Sequence, residues 1–539
     1  MQKILSFFVL SLLFAACTPA EPEVEEREQP NIIFIMSDDH TTQAVGVYGS
    51  RLAPLDPTPT IDALAGEGIT FNNVFCTNSI CTPSRGNIMT GQYSQTNGVL
   101  TLDDTLRPEK QYLPLEMRKL GYQTAMIGKW HLKAEPATYD YYHVLESQGD
   151  YFDPTFRSSV DGNWPNNKKQ YTGHSSDVIT DVTLDWLKTK RKAGQPFFLM
   201  HHYKAPHDDF EYAPRYEDYL ADTHIPEPAN LYNEPDWGSV ATRGHGDSLI
   251  HKIGTSVSDR HDIRNYTDQY KIKATPRDTA TSMAYQQYLK KYLRCVKGVD
   301  DNLARLFSYL KEEGLWDNTV IVYTGDQGFM LGEHDLMDKR WMYEESMQMP
   351  FIVKPAKGMD FAATNDLLIN NTDFAPTMLT IAGGETPDYM QGKSFAAYLD
   401  GGEPDDWRTS TYYRYWMHLT HHDVPAHFGV RTKDYKLMFY YSQPYKEEEI
   451  GKGSMWWKGE GNSYPIRPTP VAWEFYDLSK DPTEGHNQYG NPEYQQVIAD
   501  LKKELRKQRE ELNETDKNFP RFAKVIDAHW EDWPGESVN

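Results

Sequence analysis

The stretch Asn31-Ile32-Ile33-Phe34-Ile35-Met36-Ser37-Asp38-Asp39-His40 decides the architecture. From Ile32 to Met36 it is unbroken in apolar character. A strand with one wet face alternates, whereas one that does not alternate is buried on both faces, as in a parallel sheet covered by helices. The run then stops at two adjacent acids. A second run repeats the pattern: Thr319-Val320-Ile321-Val322-Tyr323-Thr324 gives way to Gly325-Asp326-Gln327-Gly328. A third, Pro196-Phe197-Phe198-Leu199-Met200, leads to Ala205-Pro206-His207. Spacing predicts helices over 60–67, 113–120, 178–191 and 282–313, the last with Tyr285, Tyr288, Leu289, Tyr292, Val296, Val299, Leu303 and Leu306 on one face. Gly68-Ile69-Thr70-Phe71 and Gln123-Thr124-Ala125-Met126-Ile127-Gly128 read as further strands. Strands alternating with helices make an α/β fold with a large, mostly parallel sheet flanked by helices. Ligands bind at the carboxyl ends of such strands, so Asp38, Asp39, His131, His207 and Asp326 are expected to converge.

The chain divides unevenly. Residues 31–400 form the expected catalytic domain. Residues 208–277, rich in Pro, Asp, Tyr and His, are expected to run as a long excursion over the functional face. From residue 401 to 539 the pattern changes to short strands at Gly429-Val430-Arg431-Thr432, Lys436-Leu437-Met438-Phe439-Tyr440 and Trp473-Glu474-Phe475-Tyr476, followed by a charged amphipathic helix over 491–512. That is a smaller α+β domain with an antiparallel sheet. Residues 1–16 read as an export signal, with Lys3 ahead of an apolar stretch too short for the ~20 residues of a membrane-spanning helix. Leu13-Phe14-Ala15-Ala16-Cys17 reads as a bacterial lipobox, with Cys17 the lipid-bearing residue, and 17–30 as an acidic tether. An exported outer-membrane lipoprotein is expected, facing the periplasm or the outside. Cys76, Cys81 and Cys295 make no disulfide framework. The formal net charge of −23 argues against nucleic acid as a partner.

The chemistry starts with the acids. Asp38, Asp39, Asp326 and the amide of Gln327 are hard oxygen donors at two strand ends, suited to Ca²⁺ or Mg²⁺. The run Cys81-Thr82-Pro83-Ser84-Arg85, continuing to Gly91, matches Cys-x-Pro-Ser-Arg. It resembles the signature of type I sulfatases, the formylglycine-dependent branch of the alkaline phosphatase superfamily. Gly128-Lys129-Trp130-His131, Ala205-Pro206-His207, Gly325-Asp326-Gln327-Gly328 and Lys339 with Tyr343-Glu344 follow in the family's order, and the resemblance extends from Asn31 to about Leu512. It implies that Cys81 becomes formylglycine (3-oxoalanine) through a formylglycine-generating or maturase enzyme. It implies one Ca²⁺ held by Asp38, Asp39, Asp326, Gln327 and the modified residue 81; many relatives carry Asn at the position of Gln327.

The resemblance assigns Arg85 to orienting the hydrated aldehyde. Lys129, His131, His207 and Lys339 would surround the sulfate, His131 as base and His207, with Lys339, at the leaving oxygen. Two hydroxyls on one carbon let the first attack sulfur while the second releases sulfate by re-forming the aldehyde. Among His418, His421, His422 and His427, which precede or open a strand, His427 is expected to contribute a substrate subsite. The implied activity is sulfate-ester hydrolysis on a sulfated polysaccharide or its oligosaccharides, of glycosaminoglycan type or a marine glycan such as ulvan. Local cations would then offset the acidic surface. The alternatives are a phosphate or phosphonate ester hydrolase on the same scaffold, and a non-catalytic glycan-binding lipoprotein in which Cys81 stays a thiol.

Overall fold

Every residue of Asn31–Asp38 (β1) is buried, and the strand is the spine of a ten-stranded sheet in the computed structural model. The structure describes residues 29–533, apart from 233–236, 244–252, 360, 400–403, 405 and 454–464. The leader, Cys17 and the tether as far as residue 28 lie outside the described residues, as does the expected boundary at 400/401. Among the described residues no helix is long and apolar enough to cross a membrane.

The other strands of the large sheet are Ile69–Phe71 (β2), Gln123–Gly128 (β3), Tyr141–Leu145 (β4), Thr155–Ser158 (β5), Lys168–Gln170 (β6), Phe197–Pro206 (β7), Thr319–Gly325 (β8), Phe351–Lys354 (β9) and Thr364–Asn365 (β10). Their order is β10-β2-β9-β8-β1-β7-β3-β4-β5-β6. The centre, β8-β1-β7-β3-β4, is parallel throughout. Antiparallel pairs flank it: β9 against β8 and β2 on one side, β5 against β4 and β6 on the other. The α/β reading therefore holds, with a parallel centre, antiparallel flanks and one more parallel pair, β10 with β2, at the edge.

Side-chain alternation along β1 serves two cores at once. Ile32, Phe34 and Met36 enter one apolar cluster, with Phe351, Phe374 and Met378. Ile33 and Ile35 enter the other, with Leu289, Val296 and Leu303 of the helix Arg277–Glu312. Burying each such side chain contributes about 1.5–3 kcal/mol, against about 1–2 kcal/mol per residue for fixing the backbone. That is why a strand without alternation is stable only between two helical layers.

The smaller sheet is antiparallel: Ser410–Tyr415 (β11), His427–Thr432 (β12), Tyr435–Tyr440 (β13) and Ala472–Asp477 (β14) in sequence order. One face, with Tyr412, Phe428, Leu437 and Phe475, packs on Ile498, Leu501 and Leu505 of the helix Gln495–Glu511. The other face, with Tyr413, Tyr415, Met438 and Tyr476, joins the first core of the large domain. A further helix, Pro520–His529, follows and was not expected. Cys76 and Cys295 are free and buried.

Gly128 closes β3 with φ 101°, and a Cβ there would stand 1.9 Å from the backbone oxygen of His202 on β7. The next residue, Lys129, donates its backbone N–H to that same oxygen at 2.9 Å. Gly128→Ala is expected to cost about 2–4 kcal/mol in urea-unfolding free energy, from forced overpacking plus a disfavoured backbone conformation.

Candidate active site

Two neighbouring strands deliver the acids. β1 ends at Asp38, and Asp39 turns left-handed with φ 65°; its backbone N–H donates to Asp326 Oδ1 at 3.1 Å. Asp326 directly follows β8. All three carboxylates are fully buried, with oxygens within 4.8 Å of one another. Like charges this close repel strongly in a low-dielectric interior, so they persist only with compensation.

The compensation comes from three chain segments. Arg85 Nε donates to Asp326 Oδ2 at 3.0 Å, and its Nη2 lies 3.7 Å from Asp38 Oδ1. Lys129 Nζ pairs with Asp38, and Lys339 Nζ donates to Asp39 Oδ2 at 2.6 Å. Burial alone would raise Asp326, but Arg85 and Lys129 hold it below the usual carboxylate range. Burial pushes Asp39 up, with Lys339 pulling back and Asp326 adding to the rise. The same cations do not saturate the acids' surroundings. Gln327 donates its amide nitrogen to Asp39, which leaves its Oε1 buried without a hydrogen-bond partner beside three carboxylates. An unmet acceptor among hard oxygen donors is what a divalent cation requires.

Cys81 opens the helix Cys81–Thr90, every residue of which is buried. Its Sγ donates to Asp38 Oδ1 at 3.3 Å. Burial pushes the thiol up to about 12, so at neutral pH it is a poor nucleophile in its unmodified form. One helical turn on, Arg85 lies on the same side and also donates Nη1 to the backbone oxygen of Lys129 at 2.6 Å. Thr82 Oγ1 stands 3.3 Å from His131 Nδ1. Burial first, then Lys129 and Arg85, hold His131 well below its ordinary range, which keeps it neutral. His207 follows β7. Its Nδ1 lies 2.9 Å from the Asp208 backbone oxygen and also meets the Asp208 carboxylate, while Nε2 lies 3.8 Å from Asp39 Oδ2.

Cys81, His207 and Lys339 open onto a cavity of about 190 Å³. Lys339 is set on this wall by strained backbone, between Asp338 at φ 90° and Arg340 at φ 86°. Tyr413 OH donates to the Arg340 backbone oxygen at 2.7 Å, which braces that segment from the smaller sheet.

The fold thus brings together Asp38, Asp39, Cys81, Arg85, Lys129, His131, His207, Asp326, Gln327 and Lys339. It does not bring His427. That side chain is fully buried at the start of β12, with its ring 4.8 Å from Tyr440, 5.5 Å from Tyr413 and 6.4 Å from Trp341. Its Nδ1 meets the Pro425 backbone oxygen at 2.8 Å. The expected subsite role is corrected: aromatic packing between the two domains uses the ring, and the cavity wall is made by its neighbours His421 and His422. Gln148, Asp208 and Arg340 also line the cavity. Arg340 had a sequence signal in its adjacency to Lys339, and Asp208 in its adjacency to His207. Gln148 had none, being a lone amide in a polar turn.

Removing Arg85 leaves Asp326 buried without its nearest cation. Arg85→Met is expected to lower stability by about 3–5 kcal/mol, measured by denaturant unfolding in a chelating buffer, with partial recovery when a divalent cation is added.

The sulfatase family model matches residues 30–384, and the model for the C-terminal part of N-sulphoglucosamine sulphohydrolase matches 332–450 and 467–511. The chain is 36% identical to an N-acetylglucosamine-6-O-sulfatase of Bacteroides thetaiotaomicron, over 95% of this chain and 92% of that protein. It is 24% identical to an ulvan-active sulfatase of Formosa agariphila, over 96% and 88%. A solved structure in complex with its substrate D-glucosamine-2-N,6-O-disulfate superposes with a TM-score of 0.76 at 34% identity, over 91% of this chain and 100% of that one.

Proposed function

The chain belongs to the sulfatase family, and from that premise we propose that it removes 6-O-sulfate from amino-sugar residues of sulfated glycans, one sugar at a time. The carrying observation is Cys81 at the head of a buried helix, beside three carboxylates, on the wall of a cavity of about 190 Å³. The substrate class is supported by the 36% identical relative over nearly the full length and by the superposable structure with a disulfated glucosamine bound.

In this reading the Sγ of Cys81 stands in for an oxygen of formylglycine, made by a maturation enzyme. Asp38, Asp39, Asp326, Gln327 and residue 81 would hold one Ca²⁺, whose chemistry when bound is to polarise the sulfate and ease ionisation of the attacking hydroxyl. The remaining work falls to the chain's own side chains. Arg85 keeps Asp326 and Asp38 in register. Lys129 and Lys339, already fixed by Asp38 and Asp39, present positive charge to the sulfate oxygens, where each removed donor costs ~10²–10³ in rate. Neutral His131 can accept a proton beside residue 81. His207, pinned through Nδ1 by Asp208 and standing on the cavity wall, would serve the leaving sugar oxygen. Arg340, His421 and His422 form the far wall, where a sugar ring would be read. Export with a lipid on Cys17 belongs to the same proposal and rests on residues 1–17.

Sulfate release from a panel of defined substrates tests it. The expected outcome is kcat/KM for 6-O-sulfated N-acetylglucosamine or glucosamine at least ~100-fold above 2-O-sulfated uronides, ulvan oligosaccharides and phosphate monoesters. A preference for the phosphate ester, or for ulvan fragments, overturns it. Activity is further expected to vanish after exhaustive chelation and to return with Ca²⁺, while Cys81→Ala falls to background. Full activity of that variant would contradict the role given to residue 81.

A further inference from the structure

A tight turn at residues 146–149 carries a side chain that the mechanism above leaves unused. It follows β4 and is closed by the Gly149 N–H donating to the Glu146 oxygen at 2.9 Å. Ser147 at φ 54° and Gly149 at φ 74° are both left-handed, and a Cβ on Gly149 would stand 2.7 Å from Leu145. A non-glycine residue in that conformation persists only where its surroundings over-determine it. Here Glu146 is anchored through backbone and side chain: its N–H donates to Thr155 O at 3.0 Å, and its carboxylate accepts Arg157 Nη2 at 2.6 Å and pairs with Lys168. The turn thereby sets Gln148 on the cavity wall.

Gln148 Oε1 accepts a hydrogen bond from Lys129 Nζ at 2.6 Å. Lys129 is fully buried and an ammonium only donates. The amide oxygen faces the lysine, the orientation that suits an ammonium paired with Asp38. The amide nitrogen points the other way, and among the described residues no protein group accepts from it. Lys129 in turn pairs with Asp38, which accepts from Cys81. Gln148 thus stands three contacts from the sulfur of residue 81, with two free N–H donors whose direction is set from behind by a charge.

We propose that Gln148 is a sulfate-contacting residue: its Nε2 donates to a non-bridging oxygen of the ester, while its Oε1 aims Lys129 at the same group. This rests on the reading that Lys129 faces the sulfate. A neutral donor suits the position, because a second cation so close to Lys129 would repel it.

The test compares Gln148→Leu and Gln148→Glu with wild type in the full-length, matured protein. The readouts are kcat/KM for an aryl sulfate and for a 6-O-sulfated amino sugar, inhibition by inorganic sulfate, and the thermal midpoint. Gln148→Leu is expected to lower kcat/KM for both substrates by the same factor, about 10- to 100-fold, and to weaken sulfate inhibition, with little change in midpoint. Gln148→Glu keeps an acceptor for Lys129 but loses the N–H donors, and is expected to lose at least as much. Wild-type kinetics in Gln148→Glu would overturn the proposal, since the lysine contact alone would then suffice. A loss confined to the sugar substrate would also overturn it, because the contact would be to the sugar. If Gln148→Leu does not fold, Gln148→Glu decides. Should wild type hydrolyse the aryl sulfate but not the 6-O-sulfated sugar, the substrate reading fails, while the aryl sulfate and sulfate inhibition still decide the role of Gln148.

Discussion

Three carboxylates packed together in the protein interior are the constraint on which this molecule is built. Asp38, Asp39 and Asp326 arrive at the ends of adjacent parallel strands, all fully buried, and cannot share that space unless positive charge is held against them. Arg85, Lys129 and Lys339 provide it, each from a different part of the chain. Arg85 comes from a helix with no exposed residue, Lys129 from a strand end locked to its neighbour through Gly128, and Lys339 from a segment between two strained residues. Side chains that in water would sample many rotamers are thus fixed before any ligand arrives. Such preorganisation is the larger part of electrostatic catalysis.

The same arrangement resolves the conflict between a net charge of −23 and an anionic ligand. Long-range field and local potential are different quantities, since exposed charges are screened within about 8–10 Å at physiological salt while buried ones are not. The acidic surface governs solubility and approach. The cavity wall, with Lys339 and Arg340 on one side and Lys129 behind Gln148, governs what is bound.

The smaller domain earns its place through the segment that carries Lys339. One face of its sheet packs on its own helices, and the other enters the core of the large domain. Tyr413 holds the Arg340 backbone, and Arg431 and Lys436 pair with Glu344. Buried Glu474 accepts from Tyr343, Tyr476, Ser239 and Thr242, which ties the segment, the sheet and the long excursion to one carboxylate. His421 and His422 then complete the cavity from the same domain.

Local pattern was enough for the central strands Asn31–Asp38, Gln123–Gly128, Phe197–Pro206 and Thr319–Gly325, and it passed over Tyr141–Leu145, Phe351–Lys354, Ser410–Tyr415 and the helix Pro520–His529. The unalternating run from Ile32 to Met36 can be stable only with helices on both faces, and acids directly after such strands can lie only at the carboxyl edge of the sheet. The run from Cys81 to Arg85 places a thiol and a cation one helical turn apart, so their shared side follows from 3.6 residues per turn. What needed the tertiary structure were the contacts between distant segments. His427 looked like its neighbours in sequence, yet it begins a strand whose alternation turns it inward among Tyr413, Tyr440 and Trp341, while His421 and His422 in the preceding turn face the cavity. Gln148 carries no local signal, because its position comes from a left-handed turn braced by Thr155 and Arg157. Periodicity encodes which face a residue takes within its own element. Which partner it meets across the fold depends on how those elements pack.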